Sequence, residues 1–405
     1  MSSRQKWLFR SMALILALGL GECALSLSCM ILPRVQYFLS PPSKRATVSD
    51  AVLGKRMSPY YPGNDSWGYR NPAVPDHCDV LAIGDSATYG FAAVPSKSWP
   101  RQLEPMSNLR VYNMSTGGYG PCEYYALLDK GLILHPKIVV LGLSISNDLF
   151  DAFATVYLEK RFPEYRSHDA AVLQQIENTE RVVKLVNLEK GKGEDSAQNT
   201  TSVKAWLSDH SSLYGLARAL ANLSTGRTHV SLLREGSPPQ AAPEVAAQRP
   251  FRVAYNADPH RATVFINSEL RGFAVNLDEP QIQEGWRITR TILQAMQSKL
   301  KAQGIRLIIV IMPTKARIYR ELVKAEMKDM PGSFFETLER EERLTTAIES
   351  FLKSHGIAFV NATPSLLSYL QKGDAPPYPH SDDYHPNATG YQAIAEAVLP
   401  ADPGW

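Results

Sequence analysis

Short runs of consecutive apolar residues, each stopped by a turn residue and followed by a stretch with helical spacing, recur along most of the chain. Residues 79–83 (DVLAI) form such a run and end at Gly84; 109–113 (LRVYN) and 137–144 (KIVVLGLS) repeat it, with a helical stretch at 123–134 between them. Runs of this length without polar alternation read as strands buried on both faces. Farther on, 281–303 puts Ile282, Trp286, Leu293, Met296 and Leu300 near one helical face and stops at Gly304 ahead of a strand at 305–312. A helix around 343–354, a strand at 357–360 and a closing helix at 388–398 complete the rhythm. Strands alternating with helices predict a parallel α/β sheet.

Other stretches break this rhythm. Residues 12–32 are apolar, follow Arg4, Lys6 and Arg10, and close at Pro33. About 20 residues cross a bilayer as a helix, so 1–34 is expected to be a membrane anchor with one transmembrane helix. A cleaved signal peptide is the competing reading, but the run is long for one and no small-x-small cleavage site ends it. Cys23 hints at lipid attachment only weakly, because Glu22 stands where a lipoprotein signal has a small residue. Glu22 within the span reads as a helix–helix contact, a protonated side chain or a tolerated polar residue. Arg34, Lys44 and Arg45 balance the basic residues before the span. The expected orientation keeps the short tail inside and the large domain extracytoplasmic, periplasmic or extracellular.

Residues 35–76, rich in Pro, Ser, Tyr and Gly, read as a linker and lead-in, and 77–400 as one large domain with an insertion at about 151–280. The insertion carries a polar run at 191–202, an amphipathic stretch at 203–220 and a Pro/Gly/Ala-rich segment at 236–250 expected to stay loose.

Composition adds exclusions. With 405 residues, 44% hydrophobic and 20% charged, the chain can bury a sizeable core. Its net charge of +3, without a Lys/Arg stripe interleaved with aromatics, sets nucleic-acid partners aside. Of four cysteines, Cys23 and Cys29 fall in the apolar span. Cys78 and Cys122 belong to opposite ends of the predicted sheet, roughly 20 Å apart by strand length, too far for a disulfide.

The chemistry-bearing residues cluster at predicted strand ends. Ser86 follows Gly84 at the carboxyl end of the first strand, where open α/β sheets place ligands. Gly84 permits a tight turn, and a helix starting just after Ser86 aims backbone amides at a developing oxyanion. A serine nucleophile needs a base with an orienting partner. The run 381–386 (SDDYHP) offers both: His385 as base, with Asp382 three positions earlier at the spacing to accept from Nδ1, and Asp383 expected to be solvated. The alternatives are a polar surface loop, or a metal site from His380, Asp382, Asp383 and His385, which would have all its ligands on one loop. No metal or organic cofactor is expected. Gly118 after the second strand and Asn147 after the third are candidate oxyanion donors beside the Ser86 amide. Seen singly, Gly118 also fits a tight turn, and Asn147 or Asp148 a helix cap.

These segments, Gly84-Asp85-Ser86, Gly118, Asn147 and His385, fall in the order of the four blocks of the SGNH (GDSL-type) hydrolase family, which the chain resembles over 79–151 and 305–398. The resemblance implies a three-layer α/β/α, flavodoxin-like domain in which Ser86, Gly118, Asn147 and His385 have the roles just described. Departures exist: Ala87 stands where the family often has leucine, and Ile145 where it usually has glycine, which loosens the Asn147 assignment. The segment 313–319 (PTKARIY) is similar to one in SGNH-like polysaccharide O-acetyltransferases of bacterial envelopes, although Lys315 also fits a solvated loop charge. The expected function is a serine esterase acting on acyl, chiefly acetyl, esters of an envelope or exported carbohydrate through Ser86, His385 and Asp382. An O-acyltransferase using the same serine and a non-catalytic carbohydrate-binding module are the alternatives. Oligomeric state is not legible.

Overall fold

The computed structural model describes residues 2–32, 39, 47–61, 63–176, 182–183, 207, 211–224, 268–326, 332–372, 375–379 and 383–401, and the chain divides into two compact units. The runs at 191–202 and 236–250 lie outside the described residues.

One unit comprises Met1–Gly68 and Lys190–Glu235. Its first element is the helix Ser3–Ile31, which begins well before the apolar run because Ser2 and Gln5 form a reciprocal capping box. The window Ser3–Cys29 is long and apolar enough to cross a membrane, and Leu14, Ile15 and Leu16 on it are exposed. Within the stretch read as a linker stands a hairpin, strands β1 (Thr47–Asp50) and β2 (Gly54–Met57), paired antiparallel from Thr47↔Met57 to Asp50↔Gly54. Its turn is held by Asp50 Oδ1, which accepts the N–H groups of Val52 and Leu53. Within the stretch read as an insertion, the helix Ser212–Ser224 covers the second part of the amphipathic stretch and runs four residues past it. The Glu22 carboxylate accepts from Ser211 Oγ at 2.8 Å and from the N–H groups of Ser212 and Leu213. Glu22 is thus the acceptor at this helix's N-terminus, satisfying donors that have no intrahelical partner.

The other unit comprises Tyr69–Glu189 and Gly236–Trp405. Its five strands, β3 (Val80–Gly84), β4 (Val111–Ser115), β5 (Ile138–Ser144), β6 (Arg306–Met312) and β7 (Ala358–Asn361), are all parallel in the order β4-β3-β5-β6-β7. In sheet numbering that is 2-1-3-4-5, the flavodoxin-like order. Each strand lies within about two residues of its expected place. The apolar runs lack alternation because both faces are covered. Val80, Ala82, Ile138, Val140, Ile308 and Val310 pack in one cluster with Trp99 and Leu103 of the helix Trp99–Ser107 and Tyr391 and Ile394 of the helix Ala388–Val398. The intervening residues meet the other layer, the helices Pro121–Leu132 and Pro280–Lys301. Gly131 approaches so closely that a Cβ there would stand 2.4 Å from Leu81 Cδ2. Val80, Leu81, Ala82 and Ile83 are fully buried, and burial of each of the larger three contributes about 1.5–3 kcal/mol.

The helix expected at 343–354 begins eleven residues earlier, as Gly332–Ser354. Phe334, Leu338, Leu344, Ile348 and Leu352 form its buried stripe; the Glu/Arg-rich outer face masks the first half of that stripe in the sequence.

Candidate active site

The direction in which strands are added reverses between β3 and β5, and the carboxyl ends there open a crevice. Two glycines shape it. A Cβ on Gly84 or on Gly142 would stand 2.2 Å from Thr88 Oγ1, so Thr88 fills the space that both leave and seats the short helix Ser86–Tyr89 on the sheet. Asp85 caps that helix, its Oδ1 accepting the Ala87 N–H at 2.9 Å, and Gly90 closes it with φ 91°. Ser86 is the first helical residue, so its N–H has no intrahelical acceptor.

His385 reaches Ser86 from the loop before the helix Ala388–Val398. Asn387 anchors one end: it donates its N–H to Pro377 O and its Nδ2 to Pro376 O, while its Oδ1 accepts from Thr389 and Gly390 at the helix start. Lys315, 4% exposed, pins the loop with its Nζ, which donates to the carbonyls of Pro379 at 2.9 Å and Asp383 at 3.0 Å. It is therefore no solvated loop charge. His385 Nε2 lies 2.8 Å from Ser86 Oγ, and Nδ1 lies 2.7 Å from Asp383 Oδ1. The imidazole also contacts the rings of Tyr384, at 4.3 Å between centroids, and Phe91, at 5.4 Å.

The carboxylate facing Nδ1 thus belongs to Asp383, which corrects the expectation that Asp383 is solvated. Two residues of separation let Asp383 Oδ1 accept both the backbone N–H of His385, at 2.9 Å, and its ring nitrogen. Burial works to raise the Asp383 carboxyl, but its bonds to His385 and the nearby Lys315 charge outweigh that and hold it below the usual carboxylate range. Asp382, expected in this position, lies outside the described residues, as does His380 of the alternative metal set.

Beneath Ser86 stands a group of acids. Asn147 Nδ2 donates to Asp151 Oδ2 at 2.6 Å and reaches Asp85 Oδ2 at 3.4 Å, while its Oδ1 accepts from the hydroxyls of Ser144 and Ser146. Asp148 accepts from Tyr124 Oη and from the Ser144 N–H. Burial pushes the carboxyls of Asp85 and Asp148 up, and that of Asp151 up to about 7.

A small cavity opens beside Ser86. Its lining includes Ser144, Ser146 and His385 on the polar side, Met312, Leu366, Tyr378 and Ile394 on the apolar side, and the cations Lys315 and Arg271. Gly118 and Asn147 are not part of this lining. Gly118, with φ 78°, sits in the turn closed by Tyr119 N–H to Thr116 O, and Asn147 precedes the helix Asp148–Phe153 as its backbone cap. The sequence reading placed Asp383 in the alternative metal set or in solvent, not beside Nδ1, and did not single out Ser146 or Arg271. An Asp-x-His turn is a local signal that points to the first; Arg271 has none, being distant along the chain.

Several solved structures are similar. A lipolytic protein of the G-D-S-L family from Desulfitobacterium hafniense, described as putative, shares 13% identity over 80% of this chain and 98% of its own, with a TM-score of 0.36. An acetylxylan esterase from Geobacillus stearothermophilus, as a catalytic mutant, shares 11% over 81% and 95%, with a TM-score of 0.35. An extracellular lipase from Streptomyces rimosus shares 13% over 80% and 97%, with a TM-score of 0.34. No curated protein matches the chain. What identifies it is the match of residues 82–393, from β3 to the closing helix, to one family description: the chain belongs to the GDSL-like lipase/acylhydrolase family, and is an enzyme of that type.

Proposed function

We propose that this enzyme is a serine esterase removing short acyl groups, acetyl foremost, from an envelope or exported carbohydrate, with Ser86 as nucleophile and His385 as base. The observation that carries this reading is the single chain of contacts from Ser86 Oγ through the imidazole to the Asp383 carboxylate. His385 Nε2 takes the Ser86 proton as Oγ attacks the ester carbonyl; the imidazolium, held by Asp383 at Nδ1, then gives that proton to the leaving alcohol. Water, deprotonated by the same nitrogen, attacks the acyl-enzyme and regenerates Ser86 with release of the carboxylic acid. In this reading the Ser86 and Gly118 N–H groups and the Asn147 amide stabilise the oxyanion. The Asn147 hydrogen available for that task is the one engaged only by the 3.4 Å contact to Asp85.

The preference for a short acyl group rests on space. The cavity beside Ser86 holds about 30 Å³, room for about two water-sized spheres. Met312, Leu366, Tyr378 and Ile394, each at most 3% exposed, close its apolar side. An acyltransferase would use the same serine and differ in admitting a sugar hydroxyl in place of water; the segment 313–319, with Lys315 at the catalytic loop, favours keeping that second reading. The helix Ser3–Ile31 would tether the enzyme to a membrane with the catalytic domain on the extracytoplasmic side.

The test is an assay on p-nitrophenyl esters of rising chain length. Acetate is expected to be cleaved fastest and octanoate least, with loss of turnover in Ser86→Ala. Equal turnover of acetate by that variant overturns the assignment. Adding a polysaccharide acceptor and following acetyl by mass spectrometry separates transfer from hydrolysis.

A further inference from the structure

We propose that Arg271, stacked on Tyr384 at the mouth of the Ser86 cavity, is a subsite for an anionic group, a carboxylate or a phosphate, on the sugar carrying the ester; this rests on the esterase reading above. Arg271 comes from the helix Ser268–Ala274, on the returning limb of the stretch that interrupts the sheet. Phe273, Ala274 and Val275 are buried, and Phe273 meets the Phe150 ring edge-on at 6.1 Å between centroids. The helix is therefore docked by the residues just after Arg271.

The Arg271 guanidinium carbon lies 3.8 Å from the centroid of the Tyr384 ring, and the side chain lines the same cavity as Ser86 and His385. Arg271 is half-buried, yet its guanidinium forms no ion pair or hydrogen bond among the described residues. An arginine keeps its charge at any working pH, and five donors partly withdrawn from water need acceptors. With the guanidinium carbon over the ring, its N–H donors meet no acceptor among the described residues, and an arginine fork matches a carboxylate or phosphate in two parallel hydrogen bonds.

The neighbouring cation shows the contrast. Lys315 lines the cavity too, but its Nζ is committed to two backbone carbonyls. Tyr384, 41% exposed, stacks in turn on His385 at 4.3 Å. The Tyr384 ring thus contacts both the Arg271 guanidinium and the imidazole facing Ser86. An acidic sugar bound with its acylated hydroxyl at Ser86 would present its anionic group to Arg271.

The experiment measures binding rather than turnover, so that failure of the esterase reading leaves its result intact. The Ser86→Ala protein, full length in detergent, is titrated with oligoglucuronate, glucose 6-phosphate and a neutral glucose oligomer by isothermal titration calorimetry and ligand-observed NMR. Acidic ligands are expected to bind at least tenfold more tightly than the neutral one, and 0.5 M NaCl to weaken them selectively. Adding Arg271→Gln is expected to abolish the preference, and Arg271→Lys to retain part of it. Which acidic ligand binds more tightly distinguishes a carboxylate from a phosphate source. The proposal is overturned if wild-type Arg271 gives no acidic preference, if the preference survives Arg271→Gln, or if that change weakens acidic and neutral ligands alike.

Discussion

His385 Nε2 and Ser86 Oγ lie within 2.8 Å although 299 positions separate them in sequence. They act as one unit in the proposed reaction, and losses in such a unit are not additive. Ser86→Ala and His385→Ala are each expected to lower kcat on p-nitrophenyl acetate by about ten-thousand-fold or more, and the double variant by little beyond either. Initial rates on protein with unchanged circular dichroism check this.

Asp383 Oδ1 accepts the backbone N–H of His385 and faces its Nδ1, and in the proposed mechanism it orients the imidazole. Asp383→Asn is expected to lower kcat by about a thousandfold to ten-thousandfold with KM little changed, because the amide supports the wrong ring tautomer. Asp382→Asn is expected to cost less than about tenfold by the same argument. The reverse ranking would restore Asp382 to the role.

Lys315 holds the loop that carries Asp383 and His385. Lys315→Met is expected to leave two carbonyls without their donor, at about 1–3 kcal/mol each, and to lower kcat because the loop is released. Lys315→Arg is expected to recover part of the activity. Urea denaturation read beside initial rates separates the two effects.

Thr88 fits between Gly84 and Gly142. Gly142→Ala puts a methyl against its hydroxyl and is expected to destabilise by about 1–3 kcal/mol through overpacking. Because Thr88 Oγ1 is buried without a hydrogen-bond partner among the described residues, trimming it is expected to be inexpensive, and Gly142→Ala with Thr88→Ala to regain most of the loss. A double-mutant cycle in urea measures the coupling.

Asp151 has its carboxyl pushed up to about 7, chiefly by burial, against about 4 in an unfolded chain. Between those values the native state keeps a proton that the unfolded chain has released. Its contribution to stability is complete below about pH 4 and lost as pH rises through about 7. The upward shifts of Asp85 and Asp148 act in the same sense. Asp151→Asn is expected to flatten the decline in melting temperature between pH 5 and pH 8, measured at constant ionic strength. An unchanged slope removes Asp151 as its source.

Much of the sheet and two members of the site were legible in the sequence. The apolar runs are uninterrupted because both faces of β3, β5 and β6 are covered, and Ser86 sits where such a run ends. The hairpin β1–β2 was not legible, since strands of four residues are too short to show alternation. Neither was the Asp383 contact: Asp382 and Asp383 offer the same chemistry in the sequence, and the contact depends on the turn in which Asp383 Oδ1 accepts the His385 N–H. Arg271 was hidden because its partner Tyr384 lies 113 positions later, beyond β6, β7 and the helices around them.

The separation of serine and base also sets a timetable. Ribosomes extend chains at about 5–20 residues per second, so Ser86 is made on the order of 15–60 s before His385, its proposed base. The closing helix Ala388–Val398, whose Tyr391 hydroxyl donates to Phe91 O, must then dock against the helix Trp99–Ser107. A nascent or clipped chain that lacks the closing helix therefore holds Ser86 without the imidazole that, in the proposed mechanism, takes its proton.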